Sequence, residues 1–296
     1  MKEYICIDIG GTSIKHGRIR EDGSFIATGE RETQAWLGGP AIMEKVTSII
    51  EEYLKDSQAE GICISTAGMV DCEKGEITYS APLIPNYTGT GIKKIIEDRF
   101  RLPCEVENDV NCAGLAENYA GASKGCRISL CLTIGTGIGG AIVIDNKVFH
   151  GFSNSACEVG YMNIGGREFQ KLGAASVLVK KVAERKGCGE DEINGKKIFE
   201  MAAQKDEDCI RAIDEMADVL GLGIANICYV LNPEIVVLGG GIMAQKDYLY
   251  DRIRSSLDRH LIPSVASKTK LAFAENQNLA GMLGAFYHYK SRKGER

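Results

Sequence analysis

Apolar residues open the chain in short runs, and each run stops at a small-residue turn. Tyr4-Ile-Cys-Ile-Asp8 reads as a buried strand ending at Gly10-Gly11-Thr12, and His16–Ile19 and Phe25–Ala27 as further short strands of a meander. The period then changes. Ile42, Met43, Val46, Ile49, Ile50, Tyr53 and Leu54 recur at three- and four-residue steps, which predicts a helix opened by Pro40, whose missing N–H costs nothing in a first turn. Gly61–Ser65 is a continuous apolar strand closed by Thr66-Ala67-Gly68. Gly91–Phe100 is an amphipathic helix, and Cys104–Glu107 is a strand running into Asn108-Asp109.

The second half repeats this plan. A strand, a glycine turn and a strand occupy 129–150, followed by an irregular segment to about 172 and then by helices. The longest helix, Glu207 to Leu231, carries Ile210, Ile213, Met216, Ala217, Leu220, Ile224, Ile227 and Cys228 on one face and is stopped by Asn232-Pro233. Ile235–Leu238 is a strand feeding Gly239, Gly240 and Gly241. A helix near Tyr248–His260, a strand at Lys270–Ala274 and a small-residue helix at Leu279–Tyr289 complete the chain. Strands alternating with helices predict an α/β fold. The repeated plan predicts two related lobes, 1–118 together with about 279–296, and 119–278, hinged near 115–125.

Composition narrows the function classes. Across 296 residues, 44% hydrophobic and 25% charged is ordinary globular usage. A net charge of −5 and the lack of any Lys/Arg run longer than two in the body argue against a nucleic-acid partner; the basic end Lys290–Arg296 reads as a solvated tail. Eleven cysteines, odd in number and irregular in spacing, without a signal-peptide pattern, indicate a reducing cytoplasm. Cys6, Cys63 and Cys131 sit in apolar runs as small hydrophobes. No apolar stretch reaches the ~18 residues of a membrane span.

The glycine turns carry the candidate chemistry. Glycine lets backbone N–H groups approach an anion, and a threonine beside it adds a donor. A tight hairpin alone would also explain either turn, but the pair, Asp8-Ile-Gly10-Gly11-Thr12 and Thr133-Ile-Gly135-Thr136-Gly137, points to two halves gripping one nucleotide. Gly135-x-Gly137-x-x-Gly140 matches a dinucleotide fingerprint letter for letter, which makes an NAD-dependent dehydrogenase the rival. That motif needs a following helix, whereas Ala141–Ile144, Asp145-Asn146 and Lys147–Phe149 read as strand, turn and strand. The P-loop pattern is absent.

Five motifs in order, Asp8-x-Gly-Gly-Thr12, Glu107-Asn-Asp109-x-Asn111, Leu132–Gly140, Glu158-Val-Gly-Tyr161 and Leu238–Gly241, resemble the repressor/open-reading-frame/kinase (ROK) sugar kinases. The resemblance covers nearly the whole chain. It implies an actin-like (hexokinase/Hsp70-type) ATPase fold with two lobes and an interlobe cleft, and ATP-dependent phosphorylation of a hexose, usually at the 6-hydroxyl. In that resemblance Gly10, Gly11 and Thr12 face the β/γ-phosphates with Lys15 nearby, and Thr136 and Gly137 hold the other side. Asp8 orients Mg²⁺ directly or through water. Gly239, Gly240 and Gly241 let adenine and ribose lie against backbone, though a plain strand-to-helix turn would look the same. Asp109 is the general base by the same resemblance; read alone, it would equally serve as a cap for the helix starting at Val110. Asn108 and Glu158 bond ring hydroxyls, and Gly68 and Asn86 close the sugar pocket. A small-molecule sugar is the expected partner, with a homodimer as the common assembly.

One departure from the family matters. Tyr161 stands where the zinc-binding histidine belongs, Asn163–Leu172 contains no cysteine, and Cys157 and Cys188 are isolated, so no zinc site is expected. Tyr161 then offers one hydroxyl, and Gln170 stands where a second sugar-binding glutamate does. The zinc-free branch includes β-glucoside kinases and kinases of glucose or N-acetylmannosamine. A sugar-sensing regulator of the same family would need a DNA-binding module ahead of the first turn, and Asp8 lies close to Met1.

Overall fold

Tyr4 and Cys6 point to one face of the first strand and Ile5, Ile7 and Ile9 to the other, and all five are buried in hydrophobic clusters. A strand covered on both sides is what a continuous apolar run requires. The computed structural model of the chain describes residues 1–80 and 84–294. It divides into two compact units, one of Met1–Ala120, Asn146–Ala156 and Asn278–Arg296, the other of Gly121–Asp145 and Cys157–Gln277.

In unit 1, β1 (Glu3–Ile9), β2 (Ser13–Arg20) and β3 (Phe25–Glu32) form an antiparallel meander. Helix α1 spans Gly38–Asp56, two residues longer at its start than Pro40 suggests, because Gly38 at φ +85° turns the chain into it. Strand β4 (Gly61–Thr66) pairs in parallel with β1. After the short hairpin of β5 (Met69–Asp71) and β6 (Glu76–Tyr79) and helix α2 (Ile92–Phe100), β7 (Cys104–Asn108) pairs in parallel with β4. The sheet order is β3-β2-β1-β4-β7. Helix α3 (Asp109–Ala120) starts directly at the end of β7. Segment Asn146–Ala156, expected with the second lobe, groups with unit 1; within it, Tyr119 donates to the Asn146 carbonyl and His150 bonds Glu107.

Unit 2 uses the same pairing scheme. Strand β8 (Ile128–Ile134) pairs antiparallel with β9 (Ile138–Ile144), so a strand rather than a helix follows the second glycine turn. Helices α4 (Ala175–Lys186), α5 (Gly195–Ala203) and α6 (Glu207–Leu231) follow. Asp206 caps α6 by accepting from Cys209 N, and Asn232 ends it at φ +50° just before Pro233. Strand β10 (Ile235–Gly239) pairs in parallel with β8, and β11 (Lys270–Phe273), after α7 (Lys246–His260), pairs in parallel with β10. One core built on the apolar face of α6 fills this unit.

The C-terminal helix, Ala280–Lys293, returns to unit 1 and lies against α3 and the β1 side of the sheet. The basic end is therefore helix rather than solvated tail as far as Lys293, because Arg292 pairs with Glu73 and Lys293 with buried Glu105; Glu295 and Arg296 lie outside the described residues. Two glycines permit the approach. A Cβ at Gly284 would collide with the Cys112 backbone in α3, and one at Gly281 with the Asp8 carboxylate. Gly284→Ala should lower the unfolding free energy by about 2 kcal/mol, as overpacking typically does, measured as a shift in the urea midpoint. An unchanged midpoint would contradict this backbone contact.

Candidate active site

Parallel pairing brings the unit 1 residues together. Asp8 lies opposite Ser65, and Ser65 opposite Glu107, and the next row is Ile9, Thr66 and Asn108, so Asp8 and Asn108 both stand at the carboxyl ends of parallel strands, the position where α/β sheets take ligands. Ser65 Oγ donates to Asp8 Oδ1 at 2.6 Å. Burial raises the Asp8 carboxyl, while the Ser65 bond and the Lys15 charge oppose that shift. Gly10 N donates to the Ser13 carbonyl at 3.0 Å, and Thr33 Oγ1 to the Gly10 carbonyl at 2.7 Å, which closes the first glycine turn. Gly11 and Thr12 are exposed, and nothing lies within 4 Å of a Cβ built on Gly11. Lys15 is half-buried and reaches Asn278 Oδ1 at 3.5 Å.

Asp109 opens α3. Its Oδ1 accepts from Val110 N and from Asn108 Nδ2, each at 2.9 Å, so the capping geometry is present. Burial, with Asp8 nearby, pushes its carboxyl up to about 7. Asn108 is committed on both ends. Its Nδ2 also donates to the Gly68 carbonyl at 2.9 Å, and its Oδ1 accepts from Val110 N and Asn111 N. Gly68 has φ +100°, a conformation glycine adopts without strain, and a Cβ there would sit 2.8 Å from the Tyr79 carbonyl. Asn86 is also left-handed at φ +53°, beside Tyr87, whose hydroxyl meets Thr66 Oγ1 at 2.6 Å. Asn108, Asp109 and Gly68 thus form one bonded group, Asp8 and Ser65 a second, and Asn86 stands beside the bonded pair of Tyr87 and Thr66.

The remaining candidates lie in unit 2. In the second glycine turn, Gly135 N donates to the Gly137 carbonyl at 2.9 Å, and Ser176 Oγ holds the Thr136 carbonyl at 2.7 Å. Gln170 packs against this turn: a Cβ on Gly137 would lie 2.8 Å, and one on Gly160 3.1 Å, from its Oε1. Its Nε2 donates to Glu168 Oε2 at 2.9 Å. Glu158 precedes the single helical turn Val159–Tyr161, and both Glu158 and Tyr161 are exposed. Gly239 ends β10. Gly240, at φ +99°, meets the Ile134 backbone so closely that no Cβ fits, and Gly241 stands open.

A model of the ROK family matches residues 4–292. The chain belongs to the ROK family. An uncharacterized protein of Clostridium perfringens is 53% identical over 287 residues, 97% of each chain. The β-glucoside kinase of Klebsiella pneumoniae is 32% identical over 292 residues, 96% of this chain and 95% of that one. Among solved structures, the ROK glucokinase of Streptomyces griseus, in complex with glucose and AMPPNP, superposes with a TM-score of 0.84 at 27% identity, covering 96% and 97% of the two chains. The fold is accordingly the actin-like ATPase fold of ROK sugar kinases. Among the described residues, no helix of this ROK protein is long and apolar enough to cross a membrane.

Several residues of the two groups carry no motif. Ser65, Thr33, Glu168 and Ser176 are reached only through tertiary structure, and only Ser65 had a usable signal, as the polar end of an apolar strand. In ROK Asp109 the raised carboxyl has a stability consequence. The unfolded chain releases that proton near 3.8 and the folded chain near 7, so the fold loses stability as pH rises through this window and bears the full cost above it. Asp109→Asn keeps an acceptor for Val110 N and removes the charge. It should stabilise the protein at pH 8 by on the order of 2 kcal/mol, with the gain vanishing towards pH 4. Thermal melts at the two pH values check this; equal gains at both would exclude the charge as cause.

Proposed function

We propose that the chain is a cytoplasmic ATP-dependent kinase that phosphorylates a hexose or hexose derivative at its 6-hydroxyl. The observation carrying this reading is Asp109. It is fixed at the start of α3 by two donors to one oxygen, and its carboxyl titrates near neutrality. A general base works best when its pKa lies close to the working pH. Asp109 would take the proton from the attacking hydroxyl, and Asn108, anchored on Gly68, would orient the sugar.

The residues present fit ATP and Mg²⁺. Asp8 and Asp109 are two carboxylates in mutual repulsion, which a divalent cation would relieve. Gly11, Gly135 and Gly241 leave open space where a Cβ would stand, as backbone cradles for phosphate or ribose require. When bound, ATP–Mg²⁺ supplies the phosphoryl group and offsets its charge. Asp8 would hold the ion directly or through water. Gly10, Gly11, Thr12, Lys15, Thr136, Gly137, Gly239, Gly240 and Gly241 would hold the nucleotide. Glu158, Tyr161, Gln170, Gly68 and Asn86 would complete sugar recognition. Gln170 offers an amide already bonded to Glu168, so the sugar hydroxyl it reads would meet a neutral partner.

A coupled ADP-release assay across glucose, cellobiose, N-acetylmannosamine, N-acetylglucosamine, mannose and fructose tests the reading. At least one sugar should release ADP well above background. Asp109→Asn should lower turnover by about 10² or more while nucleotide binding stays within a few-fold, the scale expected for a lost general base. Sugar binding without ADP release from the unmodified protein would favour a sugar-sensing regulator instead.

A further inference from the structure

Glu107 is a fully buried carboxylate, and its two oxygens face in different functional directions. Oε1 accepts from Asn108 N at 2.8 Å and from Asn111 Nδ2 at 3.0 Å, so one oxygen holds residues on both sides of Asp109. Oε2 meets His150 Nε2 at 2.6 Å and His288 Nδ1 at 3.3 Å. Asn108 carries the hold onward, since its Nδ2 donates to Asp109 Oδ1 and to the Gly68 carbonyl, each at 2.9 Å. A continuous path of hydrogen bonds therefore runs from His150 through Glu107 and Asn108 to Asp109, all of it within unit 1.

The two histidines are not equivalent partners. His288 is buried, and burial lowers its imidazole although Glu107 opposes that shift, so it meets the carboxylate as a neutral ring. His150 is half-buried. Burial opposes its charge too, but there the Glu107 bond and charge prevail and raise the imidazole. Glu73 and Arg292, which pair with each other, act on His150 in opposite directions. Cys72 Sγ, 3.5 Å from His150 Nε2, is kept a neutral thiol by burial. His150 is thus the partner that keeps Glu107 ionised, and an ionised acceptor makes hydrogen bonds roughly twice as strong as a neutral one.

We propose that His150 is a positioning residue for Asp109: through Glu107 it fixes the Asn108–Asp109 junction in the alignment that proton transfer requires. The role rests on Asp109 as the base of the kinase reading. Misplacing a reacting group by about 1 Å can cost on the order of 10² in rate, so a bond two residues removed from the base is enough to matter. No motif marks His150. It lies 43 residues beyond Glu107, on the segment Asn146–Ala156, and only the fold brings the two together.

His150→Ala and His150→Gln test the proposal in the full chain. His150 lines a cavity of about 290 Å³ that admits water to the place of the ring, so His150→Ala should fold, which circular dichroism checks. With a sugar that releases ADP, His150→Ala should lower kcat about 10-fold and leave KM for ATP within about two-fold. His150→Gln keeps a side-chain N–H for Glu107 and should stay within about three-fold of the unmodified kcat. Amide hydrogen exchange without substrate reads the junction independently of catalysis. Asn108 N is held by Glu107, and Val110 N and Asn111 N by Asn108 Oδ1. These three amides should exchange at least about 10-fold faster in His150→Ala and near the native rate in His150→Gln, while amides of β2 and β3 keep their protection. Unchanged exchange at the three amides, equal losses of kcat in both variants, or loss of protection spread over β2 and β3 as well, overturns the positioning role. Absence of ADP release with every sugar counts against the kinase reading alone, and the exchange rates still decide whether His150 holds the junction.

Discussion

Asp8 and Asp109 are held near one another in unit 1 although each disfavours ionisation of the other, and much of that unit serves to keep them there. Parallel pairing of β1, β4 and β7 sets their positions, Ser65 and Asn108 bond them, and the C-terminal helix passes over Asp8 with Gly281 at the crossing. A side chain at that crossing would displace the carboxylate. Electrostatic strain held against a packed framework is the usual mark of a site built for a ligand rather than for stability.

The two units solve the same geometric problem with the same pairing. In each, a central strand runs antiparallel to the next strand through a glycine turn and parallel to a third strand arriving from a helix. Their turns are stiffened differently. The first is tied by Thr33 from the start of the segment after β3, the second by Ser176 from the first turn of α4. Side-chain hydroxyls from outside the hairpin satisfy carbonyls within each turn, so neither loop depends on glycine alone for its shape.

The strands were legible because their apolar runs are buried on both faces, and the dehydrogenase reading failed in sequence for the reason seen in the fold: a strand follows Gly140. Helix α6 was legible from its 3.6-residue period and its Asn232-Pro233 stop. What could not be read was anything set by register between distant strands. Ser65 meets Asp8 only because β1 and β4 pair in one alignment, and Arg292 looked solvated until the C-terminal helix brought it to Glu73. Local periodicity says which residues are covered, not which polar atoms meet.

Glu107 and Asp109 show how far that register decides chemistry. They stand two residues apart at one strand-to-helix junction, yet they titrate in opposite directions. Burial would raise both. At Glu107 the hydrogen bond from His150 overrides it and holds the carboxyl at about 2, and that partnership raises the His150 imidazole in turn. At Asp109 no cation compensates, Asp8 adds its charge, and the carboxyl rises to about 7. Because Glu107 lies on the strand face turned to the C-terminal helix, its charge is spent on holding structure. Asp109, past the strand's end, is met by neutral donors from Val110 and Asn108. Two neighbouring acids are thereby separated into a permanent anion that fixes the junction and a carboxyl poised to exchange a proton at neutral pH.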